Sequence, residues 1–294
     1  MANGAPLLTE ERIAALLPPR RADCHKGDNG RVLLCAGSER YTGTAVLAAA
    51  AALRAGCGLL EVCTPRAGKP YFAALPEACC TPVGSGGAWD EAALSEACAR
   101  IPGRQALAFG CGMDQMANDT LAAAMLQEKK PLAIDADGLN HLAKHRSLLS
   151  LLHENTVLTP HPAEFSRLSG LSVDEICQDP ATAAKRFADR YGCTVLLKGA
   201  VTQIASPVEA AQNAAGNPGL AKGGSGDVLT GLITGLLAQG LRPFDAACAG
   251  AYLLGASADT ALTLLGTRML AAGDVVSAVK QTLWRLSVDP RDPV

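Results

Sequence analysis

The sequence predicts an α/β domain built on a mostly parallel sheet with helices on both faces. Three observations carry that expectation. Short apolar runs alternate along the chain with longer helical patterns. Nearly every run ends in a cluster of glycine or polar residues, which lines those clusters along the sheet edge where open α/β domains bind ligands. Late in the chain, Gly216-Asn217-Pro218-Gly219 leads through Lys222-Gly223-Gly224-Ser225-Gly226-Asp227 into a run where Leu229, Leu232, Ile233, Leu236 and Leu237 share one helical face. No repeat or linker breaks the pattern, so residues 23–294 read as one domain.

Thr9 is placed to cap a short helix that opens on Glu10 and Glu11 and stops at Pro18, and residues 1–22 read as a helical appendage. Residues 31–36 form a buried strand ending at Gly37-Ser38. After Tyr41-Thr42-Gly43-Thr44 an alanine-rich helix is expected over about 45–55, and residues 59–63 return as a second strand. This β-loop-α-β unit is the mark of parallel pairing. Further strands are expected at 106–109, 132–134, 157–158 and 194–197, with a helix over about 116–127. Residues 201–205 read as a hairpin arm, and 206–215 are patterned too weakly for anything but a loop. Three helices close the chain, at about 227–239, 244–264 and 267–286.

Composition narrows the function. With 294 residues and 49% hydrophobic content a sizeable core is available. A net charge of −2 supplies no basic face for nucleic acid. No leader and no charge-free apolar stretch of membrane length appears, so a soluble, cytoplasmic protein is expected. The 11 cysteines contain no C-x-x-C pair and mostly sit in apolar runs such as Val32-Leu33-Leu34-Cys35, which suggests buried free thiols rather than a disulfide or zinc framework.

The chemistry concentrates at the glycine loop. Gly223, Gly224 and Gly226 lack a Cβ, so their backbone can take positive φ and approach a ligand closely. Set at a helix start, whose first N–H groups are free, they make a site for phosphate oxygens. Asp227 is then out of place as a mere binder, because like charges repel. It suits a general base that activates a hydroxyl attacking the phosphate, with the helix end expected to stabilise its charged form. The plainer reading makes Asp227 a helix-start residue and the glycines a turn. A dinucleotide fingerprint is absent after the first strand, and none of Lys26, Lys198 and Lys222 completes a Walker A loop.

A late glycine-rich anion hole ending in Asp resembles the ribokinase-like fold, a three-layer α/β/α arrangement. Six ordered motifs narrow the resemblance: Lys26-Gly27 to Gly30-Arg31, Ala36-Gly37-Ser38 to Tyr41-Thr42-Gly43, Asp135-Ala136-Asp137-Gly138-Leu139-Asn140, Thr159-Pro160-His161-Pro162-Ala163-Glu164-Phe165, Lys198-Gly199, and Asn217-Pro218-Gly219 to Gly226-Asp227. Across about residues 20–286 they resemble the ADP/ATP-dependent NAD(P)H-hydrate dehydratase family. One departure is Gly110-Cys111-Gly112, where that family usually carries Gly-Pro-Gly.

The resemblance implies repair of hydrated NADH or NADPH, the S epimer, with ADP as the expected co-substrate and ATP the other candidate, together with Mg²⁺. It implies Asp227 as the catalytic base. Gly43, Thr44, Ala45, Gly110, Gly112 and His161 would meet the hydrated dinucleotide alongside Asp227. Lys198, Gly199, Ala200, Val201, Thr202, Gly223, Gly224, Ser225 and Gly226 would hold the adenine nucleotide. It also implies a homotetramer working with a separate epimerase, since about twenty residues before the match leave no room for the fused epimerase of some relatives.

Alternatives stand beside several of these roles. His161 between two prolines also suits a loop histidine bonding local backbone, and Glu164 suits a capping or surface carboxylate better than a metal pair with His161; no protein ligand to a resident metal is assigned. Lys198 either neutralises phosphate or projects into solvent. Asp135 and Asp137 either position Mg²⁺ through water or form ordinary turn chemistry, with Asn140 behind them. A ribokinase-like kinase of hydroxymethylpyrimidine or hydroxyethylthiazole would use the same loop and base. A nucleotide sensor would need the cradle without the base, and Asp227 speaks against it.

Overall fold

The computed structural model describes residues 5–263 and 265–287. Nine strands form one sheet: β1 (Arg31–Cys35), β2 (Leu59–Pro65), β3 (Cys79–Val83), β4 (Ala106–Phe109), β5 (Leu132–Ile134), β6 (Thr156–Leu158), β7 (Thr194–Leu197), β8 (Thr202–Ala205) and β9 (Ala210–Asn213). Their spatial order is β3-β2-β1-β4-β5-β6-β7-β8-β9. Pairing is parallel from β3 through β7 and antiparallel for β7 with β8 and β8 with β9. The chain moves outward from β1 to β3, then returns to lay β4 on the other side of β1. That reversal opens a crevice at the carboxyl ends of β1 and β4.

Alternate strand residues feed two separate cores, which is why the strands read as unbroken apolar runs. Val32, Leu34, Ala106, Ala108, Ala133 and Val157 face one layer of helices: α1 (Glu10–Leu16), α2 (Thr42–Ala55), α9 (Ser225–Ala238), α10 (Pro243–Leu262) and α11 (Ala272–Ser287). Leu33, Cys35, Leu107, Phe109, Ile134 and Leu158 face the other: α3 (Glu91–Cys98), α4 (Thr120–Gln127), α5 (Ala136–Lys144), α6 (Pro162–Ser169), α7 (Val173–Gln178) and α8 (Pro180–Tyr191). The three-layer α/β/α expectation is met. In the N-terminal segment, Leu8 N–H bonds the Gln212 carbonyl, and Ile13 on α1 is fully buried.

The differences from expectation have local causes. The first long helix starts at Thr42 rather than 45, because the Thr44 hydroxyl bonds the Tyr41 carbonyl at 2.7 Å and closes the first turn early. The helix expected from 116 begins only at Thr120: Met116 bridges to Trp89, and Ala117 N–H bonds the Trp89 carbonyl at 3.1 Å, which holds that stretch extended. Residues 206–215, expected as loop, contain β9, whose ladder to β8 supplies what its alanines lack in strand propensity. The last helix begins at Ala272 rather than 267, since Lys222 Nζ bonds the carbonyls of Arg268 and Leu270 at 2.6 Å and keeps the preceding turn open. Asp135 to Asn140 are the N-cap and first turns of α5. Leu264, expected in the helix over 244–264, lies outside the described residues, as do residues 1–4 and 288–294 of the expected domain spans. All 11 cysteines are free, but Cys79 and Cys177 are exposed rather than buried.

The sheet fixes the layers, and glycine fixes how closely two helices meet. A Cβ on Gly231 would overlap the Ala48 carbonyl oxygen, and one on Gly235 would lie 2.6 Å from that of Ala52. Helices α9 and α2 therefore touch backbone to backbone over Ala48, Ala51, Ala52 and Ala55. Gly231→Ala is expected to destabilise the protein by about 1–3 kcal/mol or more, read as a lower urea midpoint. Gly273→Ala, where a Cβ meets open space inside α11, is the control expected to keep or raise the midpoint. An unchanged midpoint for Gly231→Ala would mean the helices part freely.

Candidate active site

Gly224 is the N-cap of α9, in the left-handed region at φ 97°, and makes no side-chain cap bond. The first-turn N–H groups are left for a ligand. Among the three loop glycines expected to allow positive φ, only Gly224 adopts it. A Cβ there would also lie 2.8 Å from Leu47 and Ala272, so this glycine serves turning and packing. A cleft of about 490 Å³ opens beside the helix start. Lys198, Gly199, Ala200, Thr202, Ser225 and Gly226 line it; Gly223 and Gly224 do not, and Val201 lines a neighbouring cavity of about 270 Å³.

At the inner end of the cleft, charges converge. Lys198 Nζ lies 2.9 Å from Asp135 Oδ1 and 3.9 Å from Glu164 Oε2. Asp135 Oδ2 accepts from the Thr230 hydroxyl of α9 at 3.1 Å. Lys198 thus turns inward instead of into solvent. Burial opposes its charge, yet Asp135 and Glu164 outweigh burial and raise its pKa. A Cβ on Gly226 would press on both Asp135 and Lys198, at 3.2 and 3.4 Å.

Asp227 is buried on the same turn. Burial first, then the charge of Asp135, pushes its pKa up to about 7, against the Cys111 thiol and Lys198, which pull it down. The expectation that the helix end would hold it ionised is therefore corrected: desolvation wins. Burial likewise raises Asp137 and Glu164.

The β1–β4 crevice meets this cluster from the other side. Gly37 N–H bonds the Cys111 carbonyl at 2.8 Å, and the Thr44 hydroxyl reaches the same oxygen at 3.3 Å. Gly110 and Gly112 both have positive φ, 121° and 60°. A Cβ on Gly110 would overlap the Asp135 carbonyl, and one on Gly112 the Thr44 hydroxyl. The glycine pair is thus required with Cys111 between, and the fully buried Cys111 thiol faces Asp227 and Thr230. Gly43 is exposed at the start of α2, whereas Ala45 is buried beneath Gly37.

His161 takes its local role, bonding nearby backbone. Its Nδ1 accepts from the N–H groups of Ala163 and Glu164, and Glu164 Oε2 accepts from His161 N–H at 2.9 Å, a reciprocal cap on α6. With Nδ1 an acceptor, the neutral ring carries its proton on Nε2. Burial, then Lys198, lowers its pKa. The ring is still about half exposed, with 48% of its side-chain surface open, and Glu164 is a buried capping carboxylate.

A family model described as NAD(P)H-hydrate dehydratase matches residues 32–280. The chain belongs to the NAD(P)H-hydrate dehydratase family. The ADP-dependent (S)-NAD(P)H-hydrate dehydratase of Neisseria meningitidis is 37% identical over 283 residues, covering 93% of this chain and 92% of that protein. The bifunctional NAD(P)H-hydrate repair enzyme of Moorella thermoacetica is 40% identical over 292 residues, and the chain spans about half the length of such relatives, 54% in this case. Among solved structures, the ADP/ATP-dependent NAD(P)H-hydrate dehydratase of Bacillus subtilis, co-crystallised with ATP and Mg²⁺, superimposes with a TM-score of 0.83 at 31% identity, covering 97% of this chain and all of that one.

Two parts of the candidate site escape sequence reading. The cleft wall from Ala215 to Pro218 is anchored by Asp259, which accepts from Gly216 N–H and Asn217 Nδ2 at 2.9 Å. One acid in an alanine-rich helix gives no signal for that. Beside the β1–β4 crevice, Ser38, Glu39, Arg40, Met113, Asp114 and Gln115 line a second cavity of about 490 Å³, where the buried Ser38 hydroxyl has no partner. Its position straight after a strand was the available clue.

A carboxyl with a higher pKa folded than unfolded weakens the fold as it is made to ionise. For Asp227 that effect is absent below about pH 4 and complete above about pH 7. Asp227→Asn is expected to raise Tm at pH 8 by an amount worth a few kcal/mol and to leave it nearly unchanged at pH 4. Equal shifts at both pH values would exclude charge burial as the cause.

Proposed function

We propose that this family member dehydrates the S epimer of hydrated NADH or NADPH, with ADP as phosphoryl donor and ATP as the other candidate. One observation carries the reading: a buried carboxyl poised near neutrality, Asp227, directly follows Gly226, which lines the cleft, and meets the Cys111 thiol of the β1–β4 crevice. A sensor gains nothing from such a base beside phosphate. The vitamin-precursor kinase reading uses the same base, and no feature of the crevice favours it.

In the proposed reaction Asp227 takes the proton of the ring hydroxyl as its oxygen attacks the terminal phosphoryl of the nucleotide. The phosphorus–oxygen bond to the leaving nucleotide breaks, giving AMP from ADP. The new phosphate ester departs as inorganic phosphate, driven by the ring nitrogen lone pair, and loss of a proton from the adjacent ring carbon restores the reduced nicotinamide. The α9 N–H groups and Lys198 stabilise charge on the transferring phosphoryl. The adenine nucleotide fits the cleft of Gly199, Ala200 and Thr202, with Gly223 and Gly224 shaping the loop and Val201 supporting from behind. Thr44, Gly110, Gly112 and His161 bound the acceptor side, with Gly43 at its rim and Ala45 beneath.

The donor set suits a hard cation. Asp135, Glu164 and Asp227 crowd one ammonium with Asp137 beside them, and both Asp135 oxygens are already engaged, so Mg²⁺ arriving with the nucleotide would be held through water by Asp135 and Asp137. It would neutralise phosphate charge. No described helix is long and apolar enough to cross a membrane. The same reading takes the enzyme as cytoplasmic, supported by its 11 free thiols, as a homotetramer, and as a partner in function of an epimerase, supported by the bifunctional relatives.

Recovery of NADH absorbance from its hydrate, with ADP and then ATP, tests this. Wild-type protein is expected to restore it with ADP, with kcat/KM falling below about pH 7 as Asp227 protonates. Asp227→Asn should lose about 10²–10⁴-fold in kcat while binding nucleotide as well or better. Near wild-type turnover in that variant would overturn the assignment.

A further inference from the structure

Away from the active site, one side-chain cluster has the composition of a metal centre. His141 and His145 stand one turn apart on α5 and at its C-cap, and Asp119 sits at the N-cap of α4. Asp119 Oδ1 lies 2.8 Å from His141 Nε2 and 2.9 Å from His145 Nδ1. The three prospective ligand atoms all fall within 4.8 Å of one another. We propose that Asp119, His141 and His145 bind a divalent first-row transition ion, zinc foremost, with its remaining position open to water.

The Asp119 carboxylate is not explained by capping. At an N-cap an aspartate ordinarily accepts from its own helix, yet this one makes no cap bond and has helical dihedrals, φ −84° and ψ −2°. Asn118 takes the Thr120 N–H instead, at 3.0 Å. The carboxylate turns away to the two imidazoles, and among the described residues it has no Lys or Arg partner. The rings in turn stack at 4.3 Å between centroids and 17° between planes, aligned on one acceptor.

Spacing and chemistry agree. Residues four apart share a helix face, the arrangement by which paired histidines chelate zinc. Bonds of about 2.0–2.2 Å in tetrahedral geometry place ligand atoms about 3.3 Å apart, so the two short contacts need open by only about half an ångström. His141 is buried at 6% exposure, while His145 and Asp119 keep 41% and 37% of their side-chain surface, leaving an open outer side. Two imidazoles and one carboxylate favour zinc, cobalt or nickel over Mg²⁺, which separates this site from the ion that accompanies the nucleotide. The ion would tie the loop between β4 and α4, which carries Gly110, Gly112 and Asp114, to the helix that carries Asp137.

Full-length protein stripped with chelator and titrated calorimetrically with zinc chloride tests this without reference to turnover. One equivalent is expected to bind and raise Tm. Asp119→Asn and His145→Gln should each weaken binding by at least about 100-fold, since loss even of an outer-shell partner costs about 10–100-fold. Cobalt(II) added to wild-type protein gives a readout independent of variant folding: visible d–d bands with no thiolate-to-metal charge-transfer band are expected. Absence of wild-type binding, undiminished binding in either variant, or a thiolate band placing the ion on a cysteine such as Cys79 or Cys177 would each overturn the proposal.

Discussion

The contact on which the site depends is the ion pair of Lys198 with Asp135. It joins the ends of β7 and β5, and through the second Asp135 oxygen and Thr230 it reaches the first turns of α9. Glu164 brings in the start of α6. Three carboxylates, Asp135, Glu164 and Asp227, gather about one ammonium with Asp137 close behind, and their charges are costly out of water: burial raises Asp227, Asp137 and Glu164, while Lys198 is raised by its acidic neighbours. Because these groups are coupled, the proton that Asp227 holds belongs to the cluster as much as to one side chain. Any group that adds or removes charge there resets all of them.

The second constraint is mechanical. Helix α2 carries Thr44 at its start, on the β1–β4 crevice, and along its length it meets α9 with only glycine between the backbones. The start of α9 is the proposed anion cradle. One helix pair therefore sets the separation of acceptor loop and cradle, and tight packing of small residues leaves no room for that distance to drift. Few side-chain contacts are needed, which accounts for the alanine and glycine content of both helices and for the near-complete burial of α9.

Much of this was legible in the sequence because the unbroken apolar runs of a doubly covered sheet are a strong signal, and because Gly-Gly-Ser-Gly-Asp before an apolar helical run has few other uses. What stayed illegible depended on distant partners. The alanines of β9 carry no strand signal until β8 pairs with them, and the delayed start of α4 is imposed by Trp89, far back in the chain. Lys198 and Asp135 were each visible as strand-end residues, but only their convergence decides between solvent and cluster. His161 was undecidable from sequence for another reason: Nδ1 bonds local backbone and Nε2 lies 3.3 Å from Glu164 Oε1, yet about half of the side chain stays exposed, so the local role leaves a face that a ligand can still reach. The anchoring of Asn217 by Asp259 spans forty-two positions and leaves no local trace.

The sign of the Asp227 shift turns on magnitudes. A helix start favours a carboxylate by about 0.3–1 kcal/mol, at most about 2. The rise from 3.8 to about 7 corresponds to roughly 4 kcal/mol against ionisation at about 1.36 kcal/mol per pKa unit. The helix end therefore cannot hold the charge alone, and the Cys111 thiol and Lys198 offset only part of the remainder. An acid at the ordinary carboxyl value would be a feeble proton acceptor at neutral pH, whereas one near 7 combines a useful ionised fraction with real basicity. Burial that weakens the fold at this position is thus the same property that fits the group to take a proton from a hydroxyl.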